Sequence, residues 1–424
     1  MNGMAREGQH RRPDPALGNA APVRRAWARK MNIRFHASLE EIPAADWNAL
    51  LPSDNPFLDH AFLCGLERHG CVRREFGWVP HHLALYRDDR LVAAAPLYRK
   101  FNSHGEYVFD WHWADAYVRH GLAYYPKLLC GVPYSPVTGP RLLTGTADDG
   151  TLRRALTAAL DAELERGGFS SAHVNFIDEA DAAALAAAGW LARHDWQFHW
   201  QRQPGWRDFA DFLDALNAKK RKNLRQERAR VARAGVRCEI LHGNEIGEED
   251  WRRLHRYYRA TFHDKGNTPT LTLAFFRHLG AAMPQRVLGV FARRGADTIA
   301  GALLLRSRDT LYGRYWGCDE PVPGLHFEVC YYQGIEYCLR HGLSRFEPGA
   351  QGEHKLARGF LPAPTRSAHH LADARFRAAV GEALAREARL LERHHAELLR
   401  HSPYAQHPSH TTSAAPDPGK PAAP

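Results

Sequence analysis

Two hairpin signals, one in each half of the chain, constrain its fold more than any other feature. In residues 81–98 two apolar strands flank Asp88-Asp89, and in residues 286–306 two more flank Arg294-Gly295-Ala296. Each hairpin sits in the same order of elements: strand, helix, helix, hairpin, strand, helix, strand. In the first half, the Ala/Leu-rich helix 152–166 stops at Gly167-Gly168, a strand follows at 171–176, and 198–202 reads as the closing strand. In the second half, strand 310–317, helix 325–341 and a last strand at 365–370 repeat that order. Strands and helices alternating around hairpins imply an α/β (α+β) architecture of mixed central sheets flanked by helices.

The 424 residues divide on this reading into a leader 1–30, two units at 31–203 and 204–400, and a Pro/Ala/Ser-rich tail 401–424 expected to be disordered. The junction falls at Gln203-Pro204-Gly205, and residues 208–234 read as one helix opening the second unit. Met31 starts a better strand than Met1 does, so the true start (Met1, Met4 or Met31) is open.

Several function classes are disfavoured by composition and spacing. No apolar run reaches the ~18–20 residues of a membrane span. The seven cysteines are scattered without a C-x-x-C pair, as expected of reduced thiols in a cytoplasmic protein. His369-His370 and His394-His395 are adjacent rather than four apart, and with no H-E-x-x-H no metal is expected. Neither a G-x-S-x-G elbow nor a phosphate-binding Walker loop occurs. A net charge of +10 favours anionic partners: nucleic acid, a phosphorylated compound, or peripheral contact with a membrane surface.

Chemistry-bearing residues concentrate in 346–355. Glu347, Gln351, Glu353, His354 and Lys355 crowd around the breaks at Pro348-Gly349 and Gly352, a sharp turn after a strand. On helix 325–341, Glu328, Tyr332 and Ile335 share a face. A carboxylate buried there would act as general base, with Tyr332 on a carbonyl oxygen. Arg314, ending a strand, would pair an anion or cap the sheet. Trp111 and Trp113 suggest the rim of an aromatic groove for a sugar or base, or packing between the units. Lys219, Lys220, Arg221, Lys222 and Arg225 open a basic helix suited to phosphates, or simply to water.

This order of elements resembles the GNAT acyltransferase fold, and two such units in tandem resemble the Fem-type peptidoglycan aminoacyltransferases. The run from Lys219 to Arg225, with Arg228, Arg233 and Gly235-Val236, carries that likeness. The run from Tyr134 to Pro140 and residues 346–360 resemble, more closely, a bacterial branch of peptidoglycan biosynthesis and recognition proteins. The resemblance implies transfer of an acyl or aminoacyl group to an amine, for instance of a cell-wall precursor. The alternative is a non-catalytic module that recognises such a precursor or RNA. Glu328, Glu353 and Lys355 would be catalytic. Arg314, Tyr332, Glu347, Gln351, Trp111, Trp113 and Tyr134 would bind substrate. No cofactor would be held tightly, and the donor is either aminoacyl-tRNA or acyl-CoA. Before the long helix, Asp319, Glu320, Pro321 and Pro323 make a poor cradle for the CoA pyrophosphate, because prolines lack N–H donors and acids repel it.

Overall fold

The computed structural model describes residues 31–147, 150–350 and 352–405, the side chain of Glu353 excepted. The leader 1–30, Gln351, the Glu353 side chain and the tail beyond 405 therefore lie outside the described residues. The strands are β1 (Met31–His36), β2 (Trp78–Pro80), β3 (His82–Arg87), β4 (Arg90–Ala95), β5 (Leu97–Lys100), β6 (Lys127–Cys130) and β7 (Ser171–Asn175). They continue with β8 (Leu191–Gln201), β9 (Val236–His242), β10 (Val287–Arg294), β11 (Asp297–Arg306), β12 (Thr310–Cys318), β13 (Arg345–Glu347) and β14 (Leu361–Leu371).

Both hairpins form. Asp88 and Asp89 take the left-handed backbone (φ 50° and 58°) that a two-residue turn demands and that short Asp side chains tolerate. The first hairpin does not join the central sheet: β3 and β4 pair with β1 in a separate three-stranded sheet. The second does, as β10–β11.

All other strands make one mixed sheet in the order β2-β5-β6-β7-β14-β8-β13-β12-β11-β10-β9, with helices packed on it. β14, from the far end of the chain, lies between β7 and β8, while β8 pairs with β14 on one side and with β13 on the other. The last strand of the second unit thus completes the sheet of the first. A cut at residue 203 does not separate two closed sheets, because the exchange covers edges that separate units would leave unpaired. Apolar packing is also shared: Phe57 stands edge-on to Tyr312 at 5.2 Å and Phe62 to Phe275 at 5.6 Å. Each such ring contributes roughly 1.5–3 kcal/mol when fully buried.

Residues 208–234 are two helices, Phe209–Ala215 and Ala218–Arg233. Asn217 causes the break: its side chain accepts from Lys220 N at 3.0 Å and caps the second helix, while buried Leu216 is extended. Residues 401–405 are ordered, against expectation. Tyr404 donates to the Gly359 carbonyl at 2.7 Å and stacks on Trp206, and Asn217 N donates to Pro403 O.

The interior of the first unit is polar beneath the helix Trp111–Arg119. Lys127 Nζ, fully buried, donates to Ser103 Oγ at 2.9 Å, Glu106 Oε2 at 2.8 Å and the Asp110 carboxylate. Tyr124 also donates to Asp110 at 2.6 Å, and His173 and His369 meet through their Nδ1 atoms at 2.7 Å.

Candidate active site

β12 and β13 run parallel and pair at only three positions, ending with Tyr312↔Glu347. Beyond that pair β13 turns off through Pro348-Gly349, whereas β12 continues to Cys318. Two glycines permit the divergence. Gly349 has φ 100°, and a Cβ on Gly313 would stand 3.2 Å from the Pro348 Cα, so the turn can cross close to β12.

Glu347 ends β13 at the point of divergence and is 5% exposed. Its Oε1 lies 3.2 Å from Arg345 Nε but without hydrogen-bond alignment, and its Oε2 has no partner. Burial raises the carboxyl to about 7, against the opposing pull of Arg345 and Arg314. A carboxylate that changes charge near neutrality and keeps one oxygen free can accept a proton from an amine.

Arg314 reaches from β12 to the first unit. Its Nη2 donates to the Tyr134 carbonyl at 2.5 Å, and its guanidinium carbon lies 5.3 Å and 5.4 Å from the rings of Phe57 and Tyr315. The loop it grips is held rigidly. Arg141, fully buried, donates to the carbonyls of Val137, Gly139 and Pro140, and Gln197 Nε2 donates to Pro136 O at 2.8 Å. Tyr134 itself has φ 57°, a strained value for an aromatic residue. Beside Arg314 a small void of about 10 Å³ is lined by Phe57, Tyr134, Ser135, Phe275 and Tyr315. That is room for about one water, so a substrate would enter only if these side chains moved.

Lys355 lies on the single tight helical turn Glu353–Arg358 and is 2% exposed. Its Nζ donates to the Gly349 carbonyl at 2.7 Å, and burial lowers it to about 8. His199 of β8, also buried, is lowered to about 3 by desolvation, with Arg345 and Lys355 pushing the same way. It is neutral, and its Nε2 lies 3.2 Å from Gln197 Oε1. Where β8 runs beside β13, Arg345 acts on both Glu347 and His199, and Lys355 acts on His199.

Glu328 and Tyr332 share a face as expected, but that face packs on the helix Ala218–Arg233 and not on a cleft. Glu328 is clamped by Arg228 (3.0 and 2.9 Å) and takes a third bond from Gln333 at 2.8 Å. Tyr332 donates to Glu227, whose carboxylate also receives Arg358 at 2.7 and 3.2 Å. With its lone pairs engaged, Glu328 is not free to act as base, and it makes no contact with Lys355. A widened π-turn at Glu328–Tyr332 sets this register.

Trp111 and Trp113 point opposite ways, so they do not form one rim. Trp111 is 39% exposed, whereas Trp113 packs edge-on to His369 at 4.9 Å. On the basic helix, Lys222 and Arg225 are exposed along a groove that also includes Arg221 and Arg233. Arg221 pairs with Asp214 at 3.2 Å, while Lys219, Lys220 and Lys222 have no carboxylate partner among the described residues. Asp319 and Glu320, before the long helix, are bound by Arg256, Tyr257 and Arg294. Among the described residues no cluster of His, Cys, Asp and Glu could hold a metal ion.

Sequence reasoning missed His199, Gln197, Arg345 and Arg141. The signal for His199 was present: an imidazole between Phe198 and Trp200 in an apolar strand marks a buried polar group.

The fold is thus a mixed sheet flanked by helices, with a buried carboxylate where two parallel strands part. The sequence model of the FemAB-like family, described as peptidoglycan biosynthesis/recognition, matches residues 38–406, and the chain belongs to that family. Similar solved structures include FemX (11% identity, TM-score 0.47, covering 83% of this chain and 100% of that one). L-PGS from Bacillus licheniformis (10%, 0.46, 81% and 98%) is similar too, as is a tandem GNAT protein from the clavulanic acid biosynthesis pathway (12%, 0.43, 81% and 99%). No curated protein matches the chain. No helix among the described residues is long and apolar enough to cross a membrane.

Proposed function

We propose that the protein transfers an aminoacyl or acyl group to an amine of a cell-wall precursor, with Glu347 as the general base. The observation that carries this reading is the free Oε2 of a buried carboxylate raised to about 7, with Arg314 among the charges acting on it. The acceptor amine attacks the donor's ester carbonyl and a C–N bond forms. Its proton passes to Glu347, the tetrahedral oxyanion collapses, and the C–O bond to the donor breaks as the leaving hydroxyl takes up a proton. Lys355, whose Nζ holds the Gly349 carbonyl in the turn after Glu347, offsets the negative charge that develops. Arg314 orients an anionic group of the substrate.

Membership of the FemAB-like family supports the cell-wall acceptor. The donor is proposed to be aminoacyl-tRNA rather than acyl-CoA. The outward cations of the helix Ala218–Arg233 suit RNA phosphates, while Pro321 and Pro323 leave the start of the long helix short of N–H donors for a pyrophosphate. The test is a transfer assay with radiolabelled bulk aminoacyl-tRNA and with acetyl-CoA, against muropeptide acceptors. Label in the muropeptide from the tRNA alone is expected. Transfer from acetyl-CoA overturns the choice of donor, and binding of muropeptide without transfer from either overturns the enzyme reading.

A further inference from the structure

We propose that His199 holds one N–H of the attacking amine on its Nδ1, and that the site thereby selects a primary amine as acceptor; this rests on Glu347 as the base. The sheet sets the two side chains beside each other. β8 and β13 pair antiparallel with Gln201 opposite Arg345 and Trp200 opposite Phe346, and the next step of that register brings His199 opposite Glu347. Phe198, Trp200 and Phe346 lie in the apolar core on one face of the sheet, so Gln197, His199 and Glu347 share the other. Opposed positions of an antiparallel pair hold their Cβ atoms about 5 Å apart.

The neighbours of His199 fix which of its nitrogens is free. Gln197 Nε2 donates to the Pro136 carbonyl at 2.8 Å, which turns the acceptor Oε1 of Gln197 towards His199 Nε2 at 3.2 Å. Nε2 therefore carries the hydrogen. Burial, with Arg345 and Lys355 pushing the same way, keeps the ring neutral, so Nδ1 is a bare lone pair. It takes no hydrogen bond among the described residues, and neither does Glu347 Oε2, while the unpaired Nε of Arg345 lies against the other carboxylate oxygen. Two empty acceptors on side chains only 7% and 5% exposed are a rare arrangement that a donor must fill. A neutral primary amine brings two N–H groups and one lone pair. With one N–H on Glu347 Oε2 and the other on His199 Nδ1, the lone pair faces the donor's ester carbonyl. Glu347 takes the first proton as the C–N bond forms, and the second stays on the nitrogen of the product amide. A secondary amine has a single N–H and would leave His199 empty.

Two variants of the full chain separate the ring nitrogens. His199→Asn places an amide oxygen near the position of Nδ1 and gives up the bond to Gln197, whereas His199→Gln keeps a donor for Gln197 and gives up Nδ1. Transfer is measured to a muropeptide with a primary amine and to the same muropeptide N-methylated there. The parent should prefer the primary amine in kcat/KM by about tenfold or more, the worth of one hydrogen bond. His199→Asn should keep that preference and His199→Gln should lose it. The reverse order makes His199 a prop for the Pro136 loop and overturns the proposal, as does a preference that survives His199→Gln or is missing from the parent. Nitrogen NMR of the parent reads the contact without turnover. The primary-amine muropeptide should shift the Nδ1 signal of His199, assigned by its loss in His199→Gln. That shift in a parent without transfer sinks the general-base reading and leaves the contact standing, whereas no shift overturns the contact whatever the rate.

Discussion

Arg345 brings its Nε to 3.2 Å from Glu347 Oε1, yet the two are not aligned to hydrogen-bond, and Glu347 Oε2 is left without any partner. Buried carboxylates are normally saturated with donors, since an unsatisfied charged oxygen costs more than about 1–3 kcal/mol. Glu328 shows the saturated arrangement on the neighbouring helix, with two bonds from Arg228 and one from Gln333. The contrast is what the proposed general base rests on: Glu347 keeps a free oxygen where Glu328 has none to spare.

The pH profile of transfer should have two limbs. Glu347 accepts a proton only when ionised, so kcat/KM rises with pH through about 7. Lys355 offsets charge only when protonated, so the rate falls above about 8. Lys355→Met should remove the upper limb and keep the lower, as read by initial rates from pH 5 to 9 (roughly the span where such groups titrate).

Removing one member of the buried ionic cluster should be costly. Lys127→Met leaves Glu106 and Asp110 without their shared cation in the core. Breaking a buried pair in this way destabilises by roughly 3–5 kcal/mol. Denaturant melts of Lys127→Met should show that loss, whereas Lys222→Met on the exposed helix should stay within about 0.5 kcal/mol of the parent.

The outward cations of the helix Ala218–Arg233 should govern salt-dependent binding of RNA. Lys222→Glu with Arg225→Glu should weaken affinity for bulk tRNA by about tenfold or more and flatten its dependence on salt, with the circular dichroism unchanged. Filter binding across a salt series reads both effects.

Local chemistry makes much of this fold legible and non-local pairing hides the rest. The Asp88-Asp89 turn and the strands beside Gly295 are readable because turn residues act on their own backbone. That β14 leaves the second unit to lie between β7 and β8 is not readable, because strand order is set by contacts between residues far apart in sequence. The stretch 346–355 stands out by its breaks and charges, and it does hold Glu347 and Lys355. Their roles depend on burial, which Glu347 owes to β8 and Lys355 to the tight turn Glu353–Arg358. Glu328 reads as a base because helical spacing reveals a shared face but not what covers it. Here Arg228 covers it, from a helix a hundred positions earlier in the chain.

The most direct test is Glu347→Gln, measured for both transfer rate and melting temperature. Burial raises this carboxyl from about 4.5 to about 7, so the folded chain holds a proton there that the unfolded chain releases. Stability from that proton is full below pH about 4.5 and is lost as pH rises through about 7. At pH 8 the buried charge costs roughly 3 kcal/mol, since each tenfold gain in proton affinity is worth about 1.36 kcal/mol. Glu347→Gln is expected to lose roughly 10²–10⁴-fold in rate while melting higher than the parent at pH 8 and no higher at pH 4. A variant that keeps the parental rate would contradict the assignment of Glu347 as the base.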